Sequence, residues 1–338
     1  MQLRALRAWG ALLLVALLAW PAMTADAATR SHRRTRARAA ATARARVAKR
    51  APASAATAAR TGSGHVASAR RRTRHHRRLA PPRGGVYARN AVVIDPATDQ
   101  VLFEKQSLQT VPIASLTKLM SAMVFLEQKP DLRRVAEVTS EEIRGGNHTQ
   151  LRNHERVALY DLLHMSLMNS DNVATRVLAR ESGLTADAFV ARMNAKAHEM
   201  GLTNTQFAEP TGLDQRNVST AVDVARLLRA AADHYLIREV TTTPTYVFVT
   251  EYPGRRRTVA RTHQIVNTNR LLRSNRYEFS CSKTGFISES GYCVATWVRD
   301  RGRDLIAVVL GAPTNATRFA DIVRLVQRTQ MNLDQAQP

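Results

Sequence analysis

Ser115 and Lys118 stand three residues apart in the stretch Val111-Pro112-Ile113-Ala114-Ser115-Leu116-Thr117-Lys118-Leu119-Met120. On a helix that spacing puts both side chains on one face, about 5–6 Å apart at Cβ. A hydroxyl and an amine so placed are a nucleophile and its prospective base. A neutral amine can take the serine proton, and burial or a second cation makes a lysine neutral by lowering its pKa. Pro112 suits the first turn of a helix, where its missing N–H costs nothing. Leu116, Leu119, Met120, Ala122, Met123, Val124, Phe125 and Leu126 follow, apolar nearly all round, and predict a helix buried in a large core. Alone, Ser-x-x-Lys is a common pattern. Two later stretches give it weight. Ser170-Asp171-Asn172 falls between two helical patterns, one with Leu159, Leu162, Leu163 and Leu167, the next with Val173, Ala174, Val177 and Leu178. Lys283-Thr284-Gly285 closes an alternating run from Tyr277 that reads as a strand. Three weak motifs in this order, over about 170 residues, are jointly specific.

The elements that must position them follow from periodicity. Residues 91–95 and 100–104 read as two strands joined by the turn Pro96-Ala97-Thr98-Asp99. Helical patterns dominate residues 112–235, including 187–200 and 220–235. Strands return at 246–252, 278–283, 292–298 and 304–310, and a last amphipathic helix carries Phe319, Ile322, Val323, Leu325 and Val326. Strands at both ends with helices between predict an α/β (α+β) fold. One antiparallel sheet is built from both ends of the domain, with a helical lobe inserted. There is no internal repeat. Cys281 and Cys293 are the only cysteines and flank the expected turn 286–291. They either bridge two adjacent strands or stay as buried thiols.

Composition divides the chain sharply. Residues 1–27 read as a signal peptide: Arg4 and Arg7, an apolar run from Trp9 to Trp20 too short to span a bilayer comfortably, then Ala25-Asp26-Ala27 as a cleavage site. Export to the periplasm is therefore expected. Residues 28–85 hold 17 Lys and Arg and no Asp or Glu, so this Ala/Arg-rich segment carries most of the formal +23. It lacks the apolar content for a core and is expected to be disordered. Its charge attracts polyanions in a salt-dependent way. For an exported chain, anionic envelope polymers fit better than nucleic acid, and a solvated spacer with no partner is the plain alternative. Residues 86–332 are long enough for one substantial core, and 333–338 form a tail.

Over residues 86–331 the chain resembles the penicillin-binding D,D-peptidase family, and most of all the small periplasmic D-alanyl-D-alanine endopeptidases. The resemblance rests on Pro112 to Met120, Met168-Asn169-Ser170-Asp171-Asn172, Asn194-Ala195-Lys196-Ala197, Glu209-Pro210-Thr211-Gly212-Leu213, Asn267-Thr268-Asn269 and Lys283-Thr284-Gly285-Phe286. It implies the β-lactamase/transpeptidase fold and serine peptidase activity on peptidoglycan stem peptides and crosslinks, inhibited by β-lactams. It also implies the roles. Ser115 is the nucleophile, Lys118 its base, and Ser170 the relay of a proton to the leaving amine. Asn172 binds the substrate amide, Lys283 keeps Lys118 partly neutral and orients Ser170, and Thr284 binds a carboxylate. Backbone N–H groups of Ser115 and Phe286, next to Gly285, form the oxyanion hole. No cofactor or metal is implied. Thr268 stands where the carboxypeptidase branch usually carries an arginine, which favours the endopeptidase branch, with carboxypeptidase activity as the second expectation.

Several tempting residues are discounted. Asp171 reads as a helix N-cap, and His164 as a packed core histidine. His75 and His76 lie in the basic segment and read as solvated. Glu209 falls about where a class A β-lactamase carries its deacylating glutamate, but Glu-Pro-Thr-Gly-Leu lacks the Glu-x-x-Leu-Asn form. A β-lactamase and a non-catalytic penicillin- or polyanion-binding envelope protein are the competing readings.

Overall fold

A computed structural model describes residues 85–336 except 148, 255 and 275. The expected signal peptide, basic segment and His75-His76 lie outside the described residues. The chain opens with β1 (Asn90–Ile94) and β2 (Val101–Lys105), then a short β3 (Val111–Pro112), a 3₁₀ turn (Ala114–Thr117) and α1 (Lys118–Glu127). β4 (Val135–Glu137), α2 (Ser140–Ile143), β5 (Arg156–Ala158), α3 (Leu159–Leu167), α4 (Asn172–Glu181) and α5 (Ala186–Glu199) follow. Next come β6 (Val218–Ser219), α6 (Ala221–Asp233), α7 (Tyr235–Thr242), β7 (Thr245–Pro253) and β8 (Thr258–Val266). The chain then makes β9 (Glu278–Ile287), β10 (Gly291–Asp300), β11 (Arg303–Ala312) and α8 (Asn315–Ala336), which runs past residue 332.

The main sheet has the order β2-β1-β11-β10-β9, so the first strands pair with the last, as expected. Asn90 faces Leu310 and Ile94 faces Ile306 in the antiparallel β1–β11 ladder. Successive strand residues point to opposite faces, and the sequence uses both. Val92, Ile94, Ile306, Val308 and Leu310 join the core of the helical lobe. Ala91, Val93, Leu305, Ala307 and Val309 join a second core with Phe319, Ile322, Leu325 and Val326 of α8. Near-continuous burial of β1 and β11 thus reflects a sheet covered on both faces. At the centre of the lobe, α1 packs against α3, α4, α5 and α6. Its residues Lys118 to Phe125 are all buried, in keeping with its uniform hydrophobicity.

The structure differs from the periodicity reading in three places. Pro112 does not open a helix; it pairs with Val218 in the β3–β6 ribbon, and Ser115 lies in the 3₁₀ turn ahead of α1. A 3₁₀ turn brings i and i+3 side chains into register, so the Ser115–Lys118 pairing survives the change. β9 runs past Gly285 to Ile287, which places Phe286 in the strand and shortens the turn. Of the second sheet, β4-β5-β7-β8, the periodicity reading contains only β7. The inward side chains of β8 include Arg261 and His263, paired with the fully buried Glu155, so hydrophobic alternation is absent there. Of the two states expected for Cys281 and Cys293, the structure shows the second, free and buried thiols. Cys293 faces Gly285, four residues along β9 from Cys281, or about 14 Å at strand rise. That is beyond bridging distance, and burial pushes the Cys281 thiol up to about 12.

Candidate active site

Three elements meet at Ser115. The first is the 3₁₀ turn that carries it, preceded by Ala114 in left-handed backbone at φ 49°. The second is the α3–α4 junction, where Ser170 also adopts a left-handed conformation, φ 65°. Such backbone costs a non-glycine residue about 1–3 kcal/mol, and here it falls just before one serine and on the other. The third is β9, whose Gly285 runs against the nucleophile's backbone. A Cβ at Gly285 would come within 2.9 Å of Ile113 O and 3.1 Å of Ser115 N, so only glycine allows this approach.

Six of the eight residues singled out from sequence are joined by hydrogen bonds. Lys118 Nζ donates to Ser115 Oγ at 3.1 Å, to Asn172 Oδ1 at 2.7 Å and to the Thr211 carbonyl at 2.5 Å. Lys283 Nζ donates to Ser170 Oγ at 2.8 Å and to Thr284 O at 2.9 Å. Gly285 and Phe286 complete the set on β9, beside Ser115 and at the surface respectively. Both lysines are buried, while Ser115 and Ser170 are partly exposed, so hydroxyls line the surface and amines lie beneath. Asn172 Nδ2 donates to Gly146 O, which leaves this amide engaged at both ends as a support for Lys118. Thr268 Oγ1 donates to Met168 O at 3.1 Å and lies 2.6 Å from Thr284 Oγ1. One hydroxyl proton cannot serve both contacts, so Thr284 donates to Thr268.

Electrostatics make the pair competent. Burial brings Lys118 down from 10.5 to about 7; the Glu209 and Asp171 carboxylates pull it back up, and Arg176 pushes it further down. Sequence reading gave Lys283 the task of keeping Lys118 neutral, but burial is the main cause. Lys283 is itself driven well below its ordinary range by burial first, then by Lys118 and Arg318. A neutral Lys118 3.1 Å from a hydroxyl can accept its proton as the hydroxyl attacks a carbonyl carbon. Among the described residues no cluster of His, Cys, Asp and Glu could hold a metal ion.

The discounted residues among those described, Asp171, His164 and Glu209, lie where expected. The Asp171 side chain caps α4 by accepting from Ala174 N–H. His164 is buried and stacks on Tyr246 with ring centroids 3.9 Å apart. Glu209 is absorbed in hydrogen bonds within its own turn. Sequence reasoning missed Arg318 of α8, whose guanidinium donates to the carbonyls of Gly285 and Cys293, each at 3.1 Å. It sits 33 residues past Gly285 with no motif around it; only a basic residue on the apolar face of α8 hints at it. A cavity of about 600 Å³ lined by Arg176, Arg180, Val190, Glu209 and Pro210 includes neither Ser115 nor Lys118.

Residues 76–314 match the family model described as D-alanyl-D-alanine carboxypeptidase, well over half the chain. The chain belongs to this family of serine peptidases. Within the family it is similar to a D-alanyl-D-alanine endopeptidase of Pseudomonas aeruginosa, 36% identical over 72% of this chain and 80% of that one. An Escherichia coli D-alanyl-D-alanine endopeptidase is 32% identical over 70% and 75% of the two chains. Among solved structures, a variant of the Streptomyces K15 DD-transpeptidase superposes with a TM-score of 0.67 at 25% identity, covering 73% of this chain and 98% of that one. Penicillin-binding protein D2 of Listeria monocytogenes, in its cefotaxime-bound form, gives a TM-score of 0.60 at 27% identity, covering 73% and 99%. The D,D-peptidase fold and serine peptidase activity implied by the motifs are those of the family.

Proposed function

We propose that this D,D-peptidase acts on peptidoglycan mainly as a crosslink endopeptidase, with terminal D-alanine removal as its lesser activity. The observation that carries the mechanism is the double Ser–Lys arrangement, Lys118 on Ser115 at 3.1 Å and Lys283 on Ser170 at 2.8 Å. Ser115 Oγ attacks the D-alanyl carbonyl carbon while its proton passes to Lys118 Nζ. The developing oxyanion is held by the N–H groups of Ser115 and Phe286. The C–N bond then breaks as Ser170, bridged to Lys283, relays to the departing amine the proton that Lys118 took from Ser115, leaving Lys118 neutral again. Water releases the D-alanyl ester from Ser115, and Thr284 binds the carboxylate next to the scissile bond. Thr268 in place of an arginine supports the endopeptidase preference, as does similarity to relatives named endopeptidases. A class A β-lactamase needs a free carboxylate to activate the deacylating water, and Glu209 is bound into its turn.

Residues 1–27 then deliver the enzyme to the periplasm as a signal peptide, and residues 28–85 tether it to anionic envelope polymers. The +17 charge of that segment supports the tether. No helix among the described residues is long and apolar enough to cross a membrane. The test is direct. Purified protein incubated with defined muropeptides should convert crosslinked dimers to monomers faster than it trims pentapeptides. Ser115→Ala should abolish both reactions and all labelling by a fluorescent penicillin. Labelling that persists in the alanine variant refutes the assignment of the nucleophile.

A further inference from the structure

Glu209 is the one acidic residue of the Glu209-Pro210-Thr211-Gly212-Leu213 turn, and its carboxylate holds that turn closed. Oε2 accepts from the N–H and the hydroxyl of Thr211, at 2.7 and 2.6 Å. Oε1 accepts from the N–H groups of Gly212 and Leu213 and from Asn217 Nδ2, the last two at 2.9 Å. A carboxylate gathering successive amide N–H groups is the negative centre of a backbone nest, and such charge-assisted bonds are the strong ones.

The closed turn touches the chemistry at two points. The Thr211 carbonyl accepts from Lys118 Nζ. Gly212, at φ 83°, lies so close to the nucleophile's backbone that a Cβ there would sit 2.1 Å from Ala114 O and 2.8 Å from Ser115 N. Asn217 locks turn and nucleophile together. It accepts from Ala208 N–H at 2.6 Å, its Nδ2 reaches Thr117 Oγ1 at 3.3 Å, and its main-chain oxygen accepts from Ile113 N–H at 3.0 Å. The charged groups around the Lys118 amine are Glu209 on this turn, Asp171 and Arg176 at the start of α4, and Lys283 on β9. Asp171 is occupied in capping α4 and binding Thr149.

We propose that Glu209 is the positioning residue for Lys118: its carboxylate closes the turn whose Thr211 carbonyl holds Nζ against Ser115 Oγ. The assignment rests on the Ser115–Lys118 reading above. Glu209 touches no reacting atom. It fixes where the base stands, and its negative charge favours the ammonium form, opposing burial. In Glu209→Gln one oxygen becomes an amide NH₂ facing backbone N–H donors, and the charge is lost.

The test uses the full chain and the second-order rate of acylation by a fluorescent penicillin, followed against pH. Glu209→Gln should acylate about 100-fold more slowly at its plateau, the loss expected for a reacting group displaced by roughly 1 Å. Its acid limb should move to lower pH, because removing a neighbouring negative charge makes the amine easier to deprotonate. Glu209→Asp keeps the charge but falls a methylene short of the nest. It should be slowed with the limb in place, and it decides the matter if the glutamine variant does not fold. Wild-type rates in either variant overturn the proposal. So does a slowed Glu209→Gln whose limb stays put while its melting temperature falls, which marks a purely structural residue. Normal formation with slowed breakdown of the acyl-enzyme also overturns it, since Glu209 would then act on the deacylating water. Ser115→Ala run in parallel separates the two readings. If it still labels, the site assignment fails; if it is silent while Glu209→Gln is normal, only the positioning role fails.

Discussion

Acylation of Ser115 should follow a single acid limb near pH 7. With Lys118 at about 7, the neutral fraction is about one half at pH 7, roughly 1% at pH 5 and about 99% at pH 9. The sign is fixed by the role: a base works deprotonated, so the rate rises with pH and levels off above the limb. From pH 5 to pH 9 the second-order rate of penicillin acylation should climb about 100-fold, nearly all of it below pH 8. A lysine left at its ordinary value would behave differently. It would be only about 3% neutral at pH 9, and the rate would still be rising about tenfold per pH unit there. Stopped-flow labelling with a fluorescent penicillin in constant-ionic-strength buffers distinguishes the two. Lys118→Arg supplies the control, because a guanidinium keeps its proton throughout this range. It should lose the limb along with most of the rate. A wild-type profile still climbing tenfold per unit between pH 8 and pH 9.5 would refute the reasoning, as would a flat one from pH 5 to pH 9.

Gly212→Ala should lower the melting temperature and slow acylation about 100-fold, because its Cβ would force the turn off Ala114 and displace the Thr211 carbonyl. Scanning calorimetry beside the labelling rate checks both. Thr268→Arg should raise kcat/KM for D-alanine release from pentapeptide by about 10-fold, the worth of one added charge-assisted hydrogen bond to a carboxylate. Crosslink cleavage should not gain in step, as product masses from a mixed muropeptide digest will show. Deleting residues 29–83 should leave hydrolysis of small muropeptides unchanged yet weaken sedimentation with sacculi. The loss should be greatest at low salt, where screening extends over about 30 Å rather than about 8 Å.

The motif residues of this site were legible because their chemistry is carried by side-chain type and order. Ser115, Lys118, Ser170, Asn172 and Lys283 fall together as the sequence implied. The sheet joining both ends was legible for a similar reason: β1 and β11 carry apolar runs, Ala91 to Ile94 and Leu305 to Leu310. What escaped was carried by backbone. The Thr211 carbonyl that holds Lys118 is an atom every residue possesses, and nothing in the letters marks it as a partner. β8 escaped because Arg261 and His263 of its inward face are polar and bind Glu155, which leaves Ile265 to show the apolar alternation. Arg318 escaped because its partners are the carbonyls of Gly285 and Cys293, brought to it only by the finished sheet.

The pairing of β1 with β11 has a kinetic consequence. More than 200 residues separate the partners Ile94 and Ile306, so a long loop must close before the sheet rewards it, and such folds assemble late. Lys283 and Gly285 come from the same late-arriving strands, whereas Ser115 and Lys118 are synthesised far earlier. A chain emerging N-terminus first therefore holds its nucleophile and amine long before the neighbours that fix their geometry. Until β9 docks, Ser170 lacks its Lys283 partner and Gly285 is absent from beside Ser115. The site is thus coupled to near-completion of the polypeptide: a chain still lacking β9 carries the Ser-x-x-Lys sequence without Lys283 and Gly285.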